Sequence, residues 1–78
     1  MNIYLISQTE NTNYETYDSA IVAATTEQHA KEVPPSGLPW DSIWHGWCSS
    51  PELVTAKLIG NATEGTAAGV ILASHNAG

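Results

Sequence analysis

The sequence predicts an α+β fold: a small, mostly antiparallel β-sheet of about four strands in the order β-β-α-β-β, with one short helix and a Trp-rich helical-turn insert. Three observations lead to this prediction. The chain has 78 residues, which is enough for a single domain over 1–78 with one small core. Apolar residues make up 42 % of the chain, which is typical of a globular domain and too high for a disordered tail. Finally, four segments carry strand patterns, and one capped segment between the second and the third carries a helix pattern.

The first two strands are predicted near the N-terminus. Residues 2–8 are rich in β-branched and aromatic types, and their alternation places Ile3, Leu5 and Ser7 on one face. A short polar, turn-prone stretch follows. In the next segment, 14–24, the second half is a continuous apolar run, which favours a strand that is central or covered on both faces.

A short helix is predicted after the second strand. A threonine at the cap, three residues before Gln28, matches the spacing of a capping box. The helix must end early, because Pro34 and the proline after it cannot continue helical geometry. Ala30 and Val33 are its expected core contacts.

The tryptophan-rich insert covers residues 38–50. Large apolar side chains recur there at the i, i+3, i+4 and i+7 spacing of one helical face, which predicts one or two helical turns. These side chains are Trp40, Ile43, Trp44 and Trp47. Residues 49–52 repeat a capping pattern and predict one further turn that leads into a strand.

The last two strands are predicted at 53–59 and 69–74, with a loop rich in Gly, Ala and Thr between them. Val54, Ala56 and Leu58 alternate along the third strand. The strand–helix–strand segment implies a right-handed crossover if its two strands are parallel neighbours. The outer strand pairs are expected to form hairpins.

The charge balance excludes several functions. Eight acidic residues stand against Lys31 and Lys57, with no arginine, which gives a net charge of −6 at pH 7. Two cations cannot neutralise enough phosphates for direct DNA or RNA binding, and the same shortage argues against attraction to anionic membranes. No apolar run approaches the roughly 20 residues of a membrane span, and no signal peptide is visible, so we expect a cytoplasmic protein.

Motifs for catalysis or metal binding are weak. Cys48 is the only cysteine, so no disulfide framework is expected. The pair His45 and Cys48 has a spacing that zinc ligands use, but a structural zinc site needs four ligands. No nucleophile elbow or phosphate-binding glycine motif is present. We therefore expect neither an enzyme nor a metal or cofactor.

Three tryptophans within eight residues allow two interpretations. A chain without phenylalanine needs large side chains in its core, and the helical spacing is sufficient to explain the pattern in this way. Alternatively, the indoles form a surface that stacks a nucleobase or anchors a partner protein. The first interpretation is favoured, with at least one tryptophan partly exposed.

Five stretches of the chain are distinctive: residues 2–8 (NIYLISQ), 17–24 (YDSAIVAA), 47–52 (WCSSPE), 57–62 (KLIGNA) and 69–78 (GVILASHNAG). Together they resemble a family of small, mostly uncharacterised proteins encoded by tailed bacteriophages. The resemblance spans nearly the whole chain except the Pro- and Trp-rich insert. It implies a phage accessory protein made in the host bacterial cytoplasm, and small phage proteins of this kind often block host immunity.

Within that context the resemblance leads to two functional hypotheses. The first is a sponge, a homo-oligomer that binds and sequesters a small nucleotide-derived immune signal. Its expected ligand-binding residues are Trp40, Trp44, Trp47, Tyr4, Tyr14, Tyr17, Lys31 and Lys57. The second is an acidic inhibitor that docks on the basic surface of a host defence protein such as a CRISPR complex. A structural or regulatory phage protein without an immune role is a further alternative.

Overall fold

Two strands close to the N-terminus form the centre of the sheet. The structure is a computed structural model that describes residues 1–12, 15–41 and 46–76. Its four strands pair antiparallel in the spatial order β3-β1-β2-β4. The elements are β1 (Asn2–Ser7), β2 (Thr16–Ala24), α1 (Glu27–Lys31), a 3-10 turn (Pro51–Leu53), β3 (Thr55–Asn61) and β4 (Gly69–Asn76). Over the described residues, a small antiparallel sheet with one short helix is therefore confirmed.

One face of the sheet is covered and forms the core. Along β1, Tyr4 and Ile6 are buried, while Leu5 between them is exposed. On β2 the residues that point to the same side as Ile6 are small or β-branched, and Val22 is fully buried. This covered face packs against α1 through Ala30, which is also fully buried. The alternation of strand side chains thus separates a core face from a second face that α1 does not cover.

The helix α1 has a cap one residue later than the capping-box spacing predicts. Thr26 is the N-cap, and its Oγ1 accepts a hydrogen bond from the backbone N–H of His29 (3.1 Å). Thr25 instead contacts the ring Nδ1 of the same histidine (2.8 Å). The predicted core contacts are confirmed, because Ala30 is buried and Val33 packs against the core.

The Trp-rich insert is described only at its ends. Positions 42–45, which include Ile43, Trp44 and His45, lie outside the described residues, and the described residues on either side of them form no helix. The predicted turn at 49–52 is confirmed as the 3-10 turn. Ser50 caps this turn, and its Oγ accepts from the backbone N–H of Glu52 (3.3 Å).

One prediction about strand pairing is wrong, and the condition attached to a second is not met. β3 and β4 do not form a hairpin, because they lie at opposite edges of the sheet, and the chain from 62 to 68 connects the two edges. β2 and β3 are parallel to each other, but β1 lies between them, so they are not neighbours. β3 also begins at Thr55, after the 3-10 turn, and not at Leu53. A local pattern of apolar residues identifies strands without identifying the strand to which each pairs.

Candidate functional site

The face of the sheet opposite α1 carries two ordered rows of side chains. Residues directly opposite each other on paired strands point to the same side of a sheet. Across the four strands, one row consists of hydroxyl side chains: Thr55, Ser7, Ser19 and Ser74. The adjacent row consists of one cation followed by three apolar side chains: Lys57, Leu5, Ile21 and Leu72. We call these two rows the open face.

Every residue of the open face is accessible to solvent. Leu5 is 37 % exposed and Leu72 is 64 % exposed, and with Ile21 between them they form a continuous apolar row open to solvent. A shallow cavity of about 350 Å³ lies over the part of this face formed by β1, β2 and β4. Its lining includes Leu5, Ser19, Ile21, Leu72 and Ser74. The open face thus combines apolar contact area with hydroxyl donors and acceptors.

The charges of the protein are unevenly distributed around this face. Of the eight acidic residues, only Asp18 lies in a strand, where the pairing of β2 with β4 shifts register. Its Oδ1 accepts a long hydrogen bond from Ser19 Oγ (3.4 Å). The two rows contain no carboxylate of their own, although that of Asp18 borders them at Ser19, and Lys57 provides their positive charge. Three strand spacings, about 14 Å, separate Lys57 from Leu72. Such a surface is suited to an elongated molecule with an anionic group at one end.

The aromatic residues predicted to bind a ligand lie mostly on the other side of the sheet. Tyr4 is 6 % exposed and Trp47 is 2 % exposed, and both belong to the core. Tyr17 and Trp40 are half-buried and pack against that core. Tyr14 and Trp44 are outside the described residues. The described aromatic side chains therefore converge, but they converge inside the protein, where they offer little surface to a ligand.

Two hydrogen-bonding details show how the tryptophans are accommodated. The indole N–H of Trp40 donates to the backbone carbonyl of Glu32 (2.8 Å), which fixes the start of the insert against the end of α1. The indole N–H of Trp47 is buried and has no acceptor among the residues that the structure describes. An unsatisfied buried donor is unfavourable, so packing of the large ring must offset this penalty.

The two lysines are far apart in the fold. Lys31 ends α1, on the covered side of the sheet, whereas Lys57 lies on the open face. Of the described residues that the sequence predicts to bind a ligand, Lys57 is the one that belongs to the open face. The predicted ligand residues that the structure describes are therefore not gathered into a single site.

The remaining residues of the open face were not predicted as site residues. The sequence did contain one signal for them, because the alternation in β1 places Leu5 and Ser7 on a common face. The rows themselves arise from the register between strands that are distant in the chain. Leu72 and Lys57, for example, belong to opposite edges of the sheet.

The thiol of Cys48 shows ordinary core behaviour. The side chain is fully buried, and its Sγ donates to the backbone carbonyl of Ser50 (3.4 Å). Burial raises the pKa of the thiol above its ordinary value. Within the ranges 1–12, 15–41 and 46–76, no group of three or more His, Cys, Asp or Glu side chains is placed to hold a metal ion. His45, the other member of the predicted ligand pair, falls outside those ranges.

Comparison with known proteins adds no functional assignment. The chain matches no model of a protein family, no curated protein and no solved structure. Among the described helical segments, none has both the length and the apolar character needed to cross a membrane. The site must therefore be interpreted from its own chemistry.

Proposed function

We propose that this protein is a phage accessory protein that counters bacterial immunity in the host cytoplasm by binding and sequestering a nucleotide-derived signal. The observation that supports this proposal is the open face, where apolar side chains, hydroxyls and a single cation lie side by side. The resemblance to small phage proteins provides the biological context. The ligand is held without chemical conversion.

Each part of the open face has a partner in a nucleotide. Lys57 would contact a phosphate, because an ammonium group is a strong donor to anionic oxygens. Leu5, Ile21 and Leu72 would contact the apolar faces of a base or sugar. The row of serine and threonine hydroxyls would hydrogen-bond to the ribose or to the edge of the base. This assignment replaces the predicted aromatic platform with an aliphatic one.

The size of the cavity limits what one copy can hold. Its volume of about 350 Å³ is near the lower end of the range for small-molecule pockets, roughly 300–1,000 Å³. One nucleotide unit fits such a volume, whereas a cyclic di- or trinucleotide requires more surface. A homo-oligomer would provide that surface.

The composition of the open face supports binding in preference to turnover. Its nucleophiles are hydroxyls and one amine, and activation of such groups requires an adjacent base. The carboxylate of Asp18 contacts the open face through a long hydrogen bond from Ser19 Oγ (3.4 Å), but the two rows supply no histidine or thiol to act as a second acid–base group.

Native mass spectrometry tests this proposal. The purified protein is measured alone and with a panel of cyclic dinucleotides, cyclic trinucleotides and NAD-derived signals, and we expect one of these at fixed stoichiometry. Lys57→Gln should weaken that complex by at least about tenfold, since it removes the cation of the open face. Lys31→Gln is the matched control and should leave the affinity unchanged, because Lys31 lies on the other side of the sheet. The absence of binding to every member of the panel, or equal losses in both variants, would contradict the proposal.

A second candidate function is supported by the arrangement of acidic residues. Four of the eight lie at the end of the sheet where β1 ends and β2 and β3 begin: Glu10, Glu15, Asp18 and Glu52. An acidic surface of this kind favours docking on the basic channel of a host defence protein. If this is the function, Lys substitutions at Glu15 and Asp18 will slow association with that protein. In that case neither the wild type nor the variants will bind a nucleotide. If the protein is a sponge, the same substitutions will leave the affinity for its nucleotide equal or higher.

A further inference from the structure

The outer edge of β4 contains no lysine or carboxylate, and its first half is apolar. β4 is the last strand on its side of the sheet, so half of its backbone hydrogen-bonding groups have no partner strand in the part of the chain that is described. Val70 is 41 % exposed, Ile71 52 % and Leu72 64 %. The strand contains no Lys, Asp, Glu or Pro, the residue types that usually prevent edge strands from pairing. Such an edge is suited to pairing with another strand.

The opposite edge, β3, is protected in two ways. Lys57 lies within the strand, and lysine opposes the addition of a further strand. In addition, β3 has a bulge at Ile59, because Ile3 pairs with Gly60 while Tyr4 pairs with Leu58. β4 also has a bulge, at Ile71, but this bulge lies near the start of the strand. The rest of β4, from Leu72 to Asn76, has no further bulge. The two edges are therefore not equivalent.

We propose that two copies of this chain pair through their β4 strands, antiparallel and about a two-fold axis, to form one continuous eight-stranded sheet. A two-fold axis places the same donors and acceptors on both sides, so the edge is complementary to itself. Each copy carries a net charge of −6, and β4 is a surface where two such copies can meet without bringing carboxylates together. Because the β3 edge is protected, pairing stops at the dimer and does not continue into a fibre.

This pairing, taken with the proposed function, completes the binding site. Leu72 and Ser74 line the cavity and belong to β4, so the cavity lies beside the edge where the second copy joins. The dimer keeps both open faces on the same side of the sheet and places the Leu72 and Ser74 of both copies along the shared seam. A ligand larger than one nucleotide unit then contacts both copies. The edge of the isolated chain would thus be the middle of the functional site.

Sedimentation equilibrium of the ligand-free protein tests the pairing. A single pair of edge strands buries less area than a standard interface, so we expect a reversible dimer with a dissociation constant of about 1–100 μM. Ile71→Glu places a charged side chain on the β4 edge, where charges oppose the addition of a strand, and should raise that constant at least about tenfold. Ile59→Glu is the matched control, because Ile59 is the same residue type, is 48 % exposed and also occupies a bulge, but lies on the β3 edge. This variant should dimerise like the wild type.

The outcomes separate the pairing from the proposed function. A wild-type chain that stays monomeric up to about 200 μM overturns the pairing, even if it binds a nucleotide. An equal loss of dimer in both variants, or a loss in Ile59→Glu alone, also overturns it, because the interface would then lie elsewhere. A dimer that depends on Ile71 but binds none of the signals supports the pairing while contradicting the sponge. Circular dichroism of both variants verifies that each remains folded.

Discussion

The carboxylate of Glu10 holds Ser49 by two hydrogen bonds, one from the backbone N–H to Oε1 (2.8 Å) and one from Oγ to Oε2 (3.0 Å). Beside this pair, Asn11 Nδ2 donates to the backbone carbonyl of Trp47 (3.2 Å). The turn between β1 and β2 is itself stiffened by Gln8, whose side chain bonds both the N–H and the carbonyl of Asn11. The turn thus fixes the point where the Trp-rich insert returns to the sheet.

Removal of the Glu10 carboxylate should therefore loosen the end of the insert. We expect Glu10→Ala to lower the free energy of unfolding by about 1–2 kcal/mol, since two hydrogen bonds to a charged acceptor are lost at an exposed site. Urea denaturation monitored by tryptophan fluorescence measures the change. Glu64→Ala removes the same charge from the connection between β3 and β4 and should shift stability by less than about 0.5 kcal/mol. Equal effects in the two variants would mean that charge alone is responsible.

Trp47 should behave as a core residue. Trp47→Ala is expected to lower the free energy of unfolding by about 3–5 kcal/mol, a large share of the stability of a 78-residue domain. Trp40 is half-buried, so Trp40→Ala should cause a smaller loss. The comparison is made by thermal and urea unfolding. A Trp47→Ala protein of wild-type stability that has lost ligand binding would restore the alternative interpretation, in which the indole is a stacking platform.

Gly46 occupies a position where two constraints act together. Its φ is +65°, a conformation that L side chains rarely adopt, and a Cβ would lie 3.2 Å from the backbone oxygen of Glu15. The Gly46 carbonyl also accepts from the N–H of Tyr17 (2.7 Å), so the backbone cannot shift freely. We expect Gly46→Ala to destabilise the protein by about 2 kcal/mol.

Gly37 provides the control for that substitution. Its φ is +77°, but a Cβ there meets nothing within 4 Å. Gly37→Ala should therefore cause only the conformational part of the loss, about 1 kcal/mol. The difference between the two alanine variants in urea denaturation measures the effect of the close approach to Glu15. No difference between them would show that the backbone around Gly46 yields without strain.

The buried thiol of Cys48 predicts a change of stability at alkaline pH. Burial raises its pKa above the ordinary value of 9.0, so the unfolded chain releases this proton at a lower pH than the folded chain. The contribution of this thiol to the free energy of unfolding is therefore fully present below pH 9.0. It is lost as the pH rises through the pKa of the thiol in the folded chain.

Cys48→Ser isolates this effect, because the serine hydroxyl does not titrate. Between about pH 7 and pH 10, the free energy of unfolding of the wild type should fall relative to that of Cys48→Ser. Other groups that titrate in this range contribute equally to both proteins. A constant difference over the whole range would mean that the thiol ionises alike in the folded and unfolded chains.

Local patterns were sufficient to predict the helix and strands that the structure describes. The four strands, the short helix and the turn at 49–52 follow from alternation, capping residues and prolines, all of which act within a few residues. The choice of strand neighbours does not follow from such patterns. β3 and β4 look like a hairpin in the sequence, yet each completes a different edge, because the pairing is decided by packing across the whole sheet.

The candidate site was predicted less well, for a related reason. Sequence spacing grouped the tryptophans as large apolar side chains, of which Trp47 belongs to the core and Trp40 packs against it, but spacing does not distinguish a core from a surface when both are apolar. Lys57 was predicted because cations are scarce in this chain. Its neighbours Leu5, Ile21 and Leu72 are ordinary strand residues, and they become a site only when three separate strands align them.

The central position of the β1–β2 pair determines an order of events during folding. These strands are joined by residues 8–15, whereas β3 must reach β1, and β4 must reach β2, across more than forty residues. Closure of the longer loops costs about 1.5 kcal/mol more in chain entropy. During synthesis, both strands of this hairpin precede either edge strand. The rate-limiting step of folding is therefore the pairing of β3 and β4 with the two central strands. If both substitutions lower the free energy of unfolding equally, Val22→Ala should slow folding more than Ala56→Gly.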